Sequence, residues 1–254
     1  EPEAIAALKS DADLAIGADT VILVGERLAG VHGALAAVAD LVAATGARTA
    51  WVPRRAGDRG AVEAGALPTL LPGGRPVTDA SARVDLAAAW GVDSLPSQVG
   101  RDGDAIIAAL TKGDLGGLVI GGVDPDDTAD PAAFRAALEA ASFVVSLELR
   151  ETGVTRAADV VFPVAPVVEK AGSYMNWEGR LRPFEPSLDT NAIPDSRVLN
   201  YLADELGVAL NMANPSDGRD EMVRLGVWAG PRPAAPQVPA AAPSLAACPA
   251  RARD

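Results

Sequence analysis

Between Glu169 and Arg180 the chain crowds charged and polar side chains together: Glu169-Lys170, Gly172-Ser173, Asn176 and Glu178-Gly179-Arg180. Acid beside base at two places is the raw material of proton transfer. No histidine lies near, since the single one is His32. The same residues make better sense as architecture. Asn176 can accept from and donate to backbone in a turn, and Gly172 and Gly179 permit positive φ. Arg180 can clamp the carboxylate of Glu169 or Glu178 with a fork of hydrogen bonds. Tyr174 and Trp177 add apolar bodies with polar edges for packing. The stretch therefore reads as an ordered loop and tight turn with no catalytic residue in it.

A second candidate is Gly121-Gly122-Val123-Asp124-Pro125. Glycine loops and helix N-termini suit phosphate, because free N–H groups and the helix dipole favour an anion. Here Asp126, Asp127 and Asp130 follow Asp124, and four carboxylates beside a pyrophosphate would repel it. An aspartate can still take a guanine edge or a ribose hydroxyl, so both readings stay open at this point. A third stretch, Gly25 to Gly30, carries Glu26 and lacks the GxGxxG spacing; it reads as an ordinary βα loop.

The bulk numbers remove other chemistries. One cysteine, Cys248, and one histidine exclude an iron–sulfur cluster held by this chain alone, argue against a zinc site and leave no disulfide framework. The net charge is −12, from 22 basic and 34 acidic residues, which argues against nucleic acid as a partner. No apolar run approaches the ~20 residues of a membrane span, and no signal peptide is visible. The chain begins at Glu1 without Met, which reads as a fragment or processed product.

The elements that must hold these loops are legible as an alternation. Thr20–Val24 is a continuous apolar run, the mark of a strand buried on both faces of a parallel sheet. Val31–Thr45 follows as an Ala-rich helix stopped by Gly46, and Thr49–Val52 as a second strand. Residues 54–76 are rich in Gly, Arg and Pro, with a helical patch near Gly60–Ala66. Ser81–Trp90 and Asp104–Lys112 read as helices, Leu118–Ile120 and Phe143–Leu147 as strands. Between those strands lies a helix from Pro131 to Ala141, with Asp130 as N-cap. Val160-Val161 is a brief strand closed by Phe162-Pro163. Asp195–Leu206 is an amphipathic helix with Val198, Leu199, Leu202 and Leu206 on one face, and Met212–Trp228 holds another short helix. The predicted fold is α/β, a Rossmann-like, doubly wound, mostly parallel sheet with helices on both faces. It occupies residues 1–228, and an irregular Ala/Pro-rich linker or tail occupies 229–254.

The signature stretch carries a resemblance. The order E-T (Glu151-Thr152), A-D-V-V-x-P (Ala158–Pro163), E-K-x-G-S (Glu169–Ser173) and N-x-E-G-R (Asn176–Arg180) resembles the molybdopterin oxidoreductase family. Its wording is most similar to the branch that serves as the large iron–sulfur subunit of actinobacterial respiratory complex I. That branch implies an architectural part of the peripheral, NADH-oxidising arm, supporting NADH-to-quinone electron transfer without a cofactor of its own. It also implies iron–sulfur clusters in the upstream part of the same subunit. The partners would be those upstream domains and other peripheral-arm subunits, on the cytoplasmic, inner face of the cell membrane and without insertion into it. The alternative within the family is the domain of a molybdenum or tungsten oxidoreductase, such as a formate dehydrogenase, that binds molybdopterin guanine dinucleotide. Under that alternative Gly121, Gly122, Asp124, Asn176, Glu178, Gly179 and Arg180 would be cofactor contacts. In related enzymes Asn stands where Asp124 stands here.

Overall fold

The apolar runs become parallel strands and the Ala-rich stretches between them become helices, as expected for an α/β fold. The computed structural model describes residues 2–231 apart from Ala12, Ala129 and Trp177. Cys248 and all of the Ala/Pro-rich stretch beyond residue 231 lie outside the described residues. The described chain divides into two units, residues 2–61 with 174–182, and residues 62–173 with 183–231.

In the first unit, helix α1 (Pro2–Ala7) leads through a helical turn towards strand β1 (Val21–Gly25). Helix α2 (Ala34–Thr45) then crosses to strand β2 (Arg48–Val52), which runs parallel to β1 with Leu23 opposite Ala50 and Val24 opposite Trp51. Gly46 ends α2 at φ 73°, and its N–H donates to the Val42 carbonyl at 2.9 Å. That left-handed conformation is cheap only without a Cβ. Ala34, Val38 and Leu41 of α2 and Val24 of β1 are buried. The opposite face, with Val21, Leu23 and Val52, is bare, and Leu23 is 65% exposed. A short helix, α3 (Asp58–Glu63), follows.

The second unit opens with a small antiparallel pair, β3 (Leu70–Leu71) and β4 (Arg75–Pro76). Helix α4 (Ala80–Trp90) is capped by Asp79, whose carboxylate accepts from the N–H groups of Ser81 and Ala82 at 2.8 and 3.1 Å. After α5 (Gly103–Lys112) come β5 (Gly117–Gly121), α6 (Pro131–Ala140), β6 (Phe143–Glu148), α7 (Gly153–Ala157) and β7 (Val160–Pro163). The three strands form one parallel sheet in the order β5-β6-β7. Parallel paired residues share a face, so Leu118 with Val144 and Ile120 with Ser146 point one way. There they meet Phe134 and Leu138 of α6 and Val154 of α7. On the other face Val145 and Leu147 pack with Val164 and Val198. Both faces of β6 are thus covered, as parallel strands require.

A hairpin of β8 (Gly172–Met175) and β9 (Leu181–Phe184) follows, where the sequence suggested only a loop. Helix α8 (Asp195–Glu205) supplies Val198 and Leu202 to the core, but Leu199 and Leu206 are exposed, Leu206 at 81%. The expected four-residue face is therefore narrower: the helix touches the sheet along the i, i+4 row alone. Helix α9 (Pro215–Leu225) comes last. Beside it the buried Arg75 donates to the Pro72, Leu225 and Gly226 carbonyls at 2.9–3.1 Å and to Asp85 at 2.7 Å. Its guanidinium also sits 5.8 Å from the Trp228 ring centroid. A buried guanidinium is tolerable because its donors are used.

Candidate functional site

The sequence-predicted residues fall into two groups in separate units. Gly121, Gly122 and Asp124 leave the carboxyl end of β5 in the second unit. Asn176, Glu178, Gly179 and Arg180 form the tip of the β8–β9 hairpin, in the first.

At the hairpin tip the turn closes through Asn176. Its backbone N–H donates to the Arg180 carbonyl at 3.0 Å, and its Oδ1 accepts from the Arg180 N–H at 2.9 Å. Gly179 has φ 81°, and its N–H donates to the Asn176 carbonyl at 2.9 Å. These roles match the expectation. The clamp by the Arg180 side chain does not: its Nε lies 3.6 Å from Glu178 Oε2, and 67% of the side chain is exposed. An exposed, monodentate pair of this kind holds little. The backbone of Arg180 closes the turn, and its guanidinium reaches into solvent. Gly172 differs too, because its φ is not positive. A Cβ there would lie 2.6 Å from Phe184 Cζ, so the glycine is needed for the close approach of that ring. Lys170 pairs with Asp195 in the first turn of α8 rather than with Glu169. This ties the signature stretch to the helix that covers the sheet. Trp177 lies outside the described residues.

The β5 loop tests directly whether a pyrophosphate fits. The N–H of Asp126 is taken by Asp124 Oδ1 at 3.0 Å, and the N–H of Ala133 by Asp130 Oδ1 at 2.9 Å. Asp130 is the N-cap of α6, as predicted, with Pro131 in the first turn. Arg135, the cation at hand, is paired with Asp126 at 2.5 Å. Two donors at this loop are thus taken by the chain's own carboxylates, and each added phosphate charge would face the aspartates, which weighs against a pyrophosphate here. The Gly25–Gly30 loop is likewise used structurally: Glu26 Oε2 accepts from the Arg54 N–H at 2.8 Å and pins the chain leaving β2.

Sequence reasoning missed one feature. A cavity of about 440 Å³ opens at the carboxyl end of β6, lined by Glu148, Arg150, Thr155, Arg156 and Val161 among others. Glu148 is only 8% exposed. Arg156 is paired with Glu151 at 3.0 Å on the rim. A carboxylate closing an apolar strand was the available signal, because open α/β sheets take ligands at the carboxyl ends of their strands. Among the described residues, no His, Cys, Asp or Glu group is placed to hold a metal ion, and no helix is long and apolar enough to cross a membrane.

Comparison with known proteins matches residues 5–205 to the profile of the molybdopterin oxidoreductase family. The chain is 52% identical over 250 residues to the G subunit of the NADH-quinone oxidoreductase of Mycobacterium tuberculosis, covering 96% of this chain and 31% of that protein. It is 52% identical over 234 residues to the subunit of the same name from Streptomyces coelicolor, covering 89% and 28%. Formate dehydrogenase H of Escherichia coli is 30% identical over 172 residues, covering 66% and 24%. The chain thus spans less than a third of the length of these relatives.

Proposed function

This chain belongs to the molybdopterin oxidoreductase family, and from that premise we propose that it is an architectural part of an NADH-quinone oxidoreductase, without a pterin of its own. It would sit in the peripheral arm, beside upstream domains of the same polypeptide that carry iron–sulfur clusters, and against other subunits of that arm. The arm would lie on the cytoplasmic face of the cell membrane, and electrons would pass from NADH to quinone through the upstream clusters. The observation that carries this reading is the β5 loop, where Asp124 and Asp130 occupy donors that a dinucleotide's phosphates would need. The similarity to the two actinobacterial NADH-quinone oxidoreductase subunits supports it. The test is analysis of the complete polypeptide from its native source for molybdenum, tungsten and released pterin. Iron without either metal and without pterin is expected; stoichiometric metal and pterin would overturn the reading.

A second reading, a pterin-dinucleotide domain of a molybdenum or tungsten oxidoreductase such as a formate dehydrogenase, is favoured by the cavity at Glu148. A buried carboxylate at the carboxyl end of a central parallel strand suits the paired N–H donors of a purine edge. Under it Gly121, Gly122, Asp124, Asn176, Glu178, Gly179 and Arg180 would be the contacts, and the same metal and pterin analysis decides.

A further inference from the structure

Among the described residues no strand pairs with the outer edge of β1, and nothing in the β1 sequence protects that edge. Isolated edge strands are normally blunted by Lys, Pro, a bulge or an inward charge. Strand β1 reads Val-Ile-Leu-Val-Gly and has none of these, whereas β2 opens with Arg48 and is followed by Pro53. The phase of the ladder fixes which groups are unused. Arg48 N–H donates to the Thr20 carbonyl at 3.0 Å, so Ile22 and Val24 turn their backbone groups to β2. The N–H groups of Val21, Leu23 and Gly25 point to the free edge. The bare face at Val21 and Leu23 shows that this ladder is unfinished as a parallel sheet, which needs cover on both sides.

Topology names the side from which completion comes. Helix α2 connects β1 to β2 and lies on one face, and α1 packs against α2. Parallel crossovers are right-handed in about 98% of cases. A strand that preceded α1 and crossed through it into β1 would therefore sit on the edge of β1 away from β2. Residues 2–20, a helix and a connecting segment, are long enough for such a crossover, which needs about a dozen residues or more. The similar proteins extend far beyond the span matched here. We propose that, in the complete polypeptide, a further parallel strand from the region preceding α1 adds to the free edge of β1, giving the order new strand, β1, β2.

The proposal requires only that this chain sits in a longer polypeptide, and it is independent of pterin content. The test is residue-resolved amide hydrogen exchange on the complete polypeptide, purified away from other subunits and measured at two protein concentrations. The expected result is that the amides of Val21, Leu23 and Gly25 exchange within about tenfold of Ile22 and Val24 at both concentrations. Exchange more than ~1,000-fold faster at the three odd positions would overturn the proposal, whether or not they gain protection in the assembled complex, where a neighbouring subunit would be the partner. Protection that grows with concentration would also overturn it, pointing to a second copy of the chain.

Discussion

Strand β6 lies between two filled layers, with Phe134, Leu138 and Val154 on one face and Val198 on the other. Strand β1 has α2 on one face and open space over Leu23 on the other. Both follow the same ladder rules and both read as uninterrupted apolar runs. What separates them is how many of their faces are covered among the described residues. An apolar parallel strand therefore announces a demand for two layers and does not by itself reveal where the second layer comes from.

That contrast can be broken by paired truncations. Phe134→Ala is expected to cost about 3–5 kcal/mol in denaturant unfolding, because a buried ring leaves a cavity under β5 and β6. Leu23→Ala in this same chain should fall within ~0.5 kcal/mol of wild type. Equal losses would mean that the two sheets are equally finished. Removing the signature stretch's tie to α8 with Lys170→Met should cost about 1 kcal/mol, since the pair with Asp195 is only partly buried. A double-mutant cycle with Asp195→Asn would measure the coupling, and zero coupling would rule out the tie. Ser146 probes the filled sheet from the other direction. Its hydroxyl is fully buried on the α6–α7 face and finds no hydrogen-bond partner among the described residues, so Ser146→Ala should raise stability by about 1 kcal/mol. A lower melting temperature would show that the hydroxyl has a use. The smallest effect concerns Asp79. Hydrogen bonds from the Ser81 hydroxyl and then the Ala82 N–H hold its carboxyl below the ordinary value of 3.8. A folded value below the unfolded one means that the cap contributes fully above 3.8 and fades as pH falls through the lowered folded value. The stability difference between wild type and Asp79→Ala should therefore shrink on acidification, and a difference constant down to about pH 2 would refute it.

The alternation of strands and helices, the Asp130 cap and the Gly46 stop were all legible, because each rests on local rules of apolar period, side-chain capping and positive φ. The hairpin was not. Gly172-Ser173-Tyr174-Met175 lacks both a continuous apolar run and a clean alternation, and its pairing with Leu181–Phe184 depends on a glycine that lets Phe184 come close. The Arg180 clamp failed for a related reason: the residue type suits a carboxylate, but the turn directs the guanidinium outward and uses the backbone instead. Glu148 could have been suspected from its place at the end of β6, yet the cavity it lines is completed by residues from α7 and β7. For Asp124 the sequence supplied the charge, and only the geometry showed it spent on its own backbone.

Arg75 gives the second unit a chronology. Its guanidinium is finished by carbonyls at Leu225 and Gly226, some 150 positions further along the chain. During synthesis those oxygens do not exist until the end of α9 has been made, so the guanidinium must wait for them while the earlier elements assemble. Closing so long a loop is a late, high-contact-order event. The contact should therefore act on departure rather than arrival: Arg75→Met is expected to speed unfolding while leaving the refolding rate nearly unchanged, and a slowed refolding limb would show that the clasp forms early.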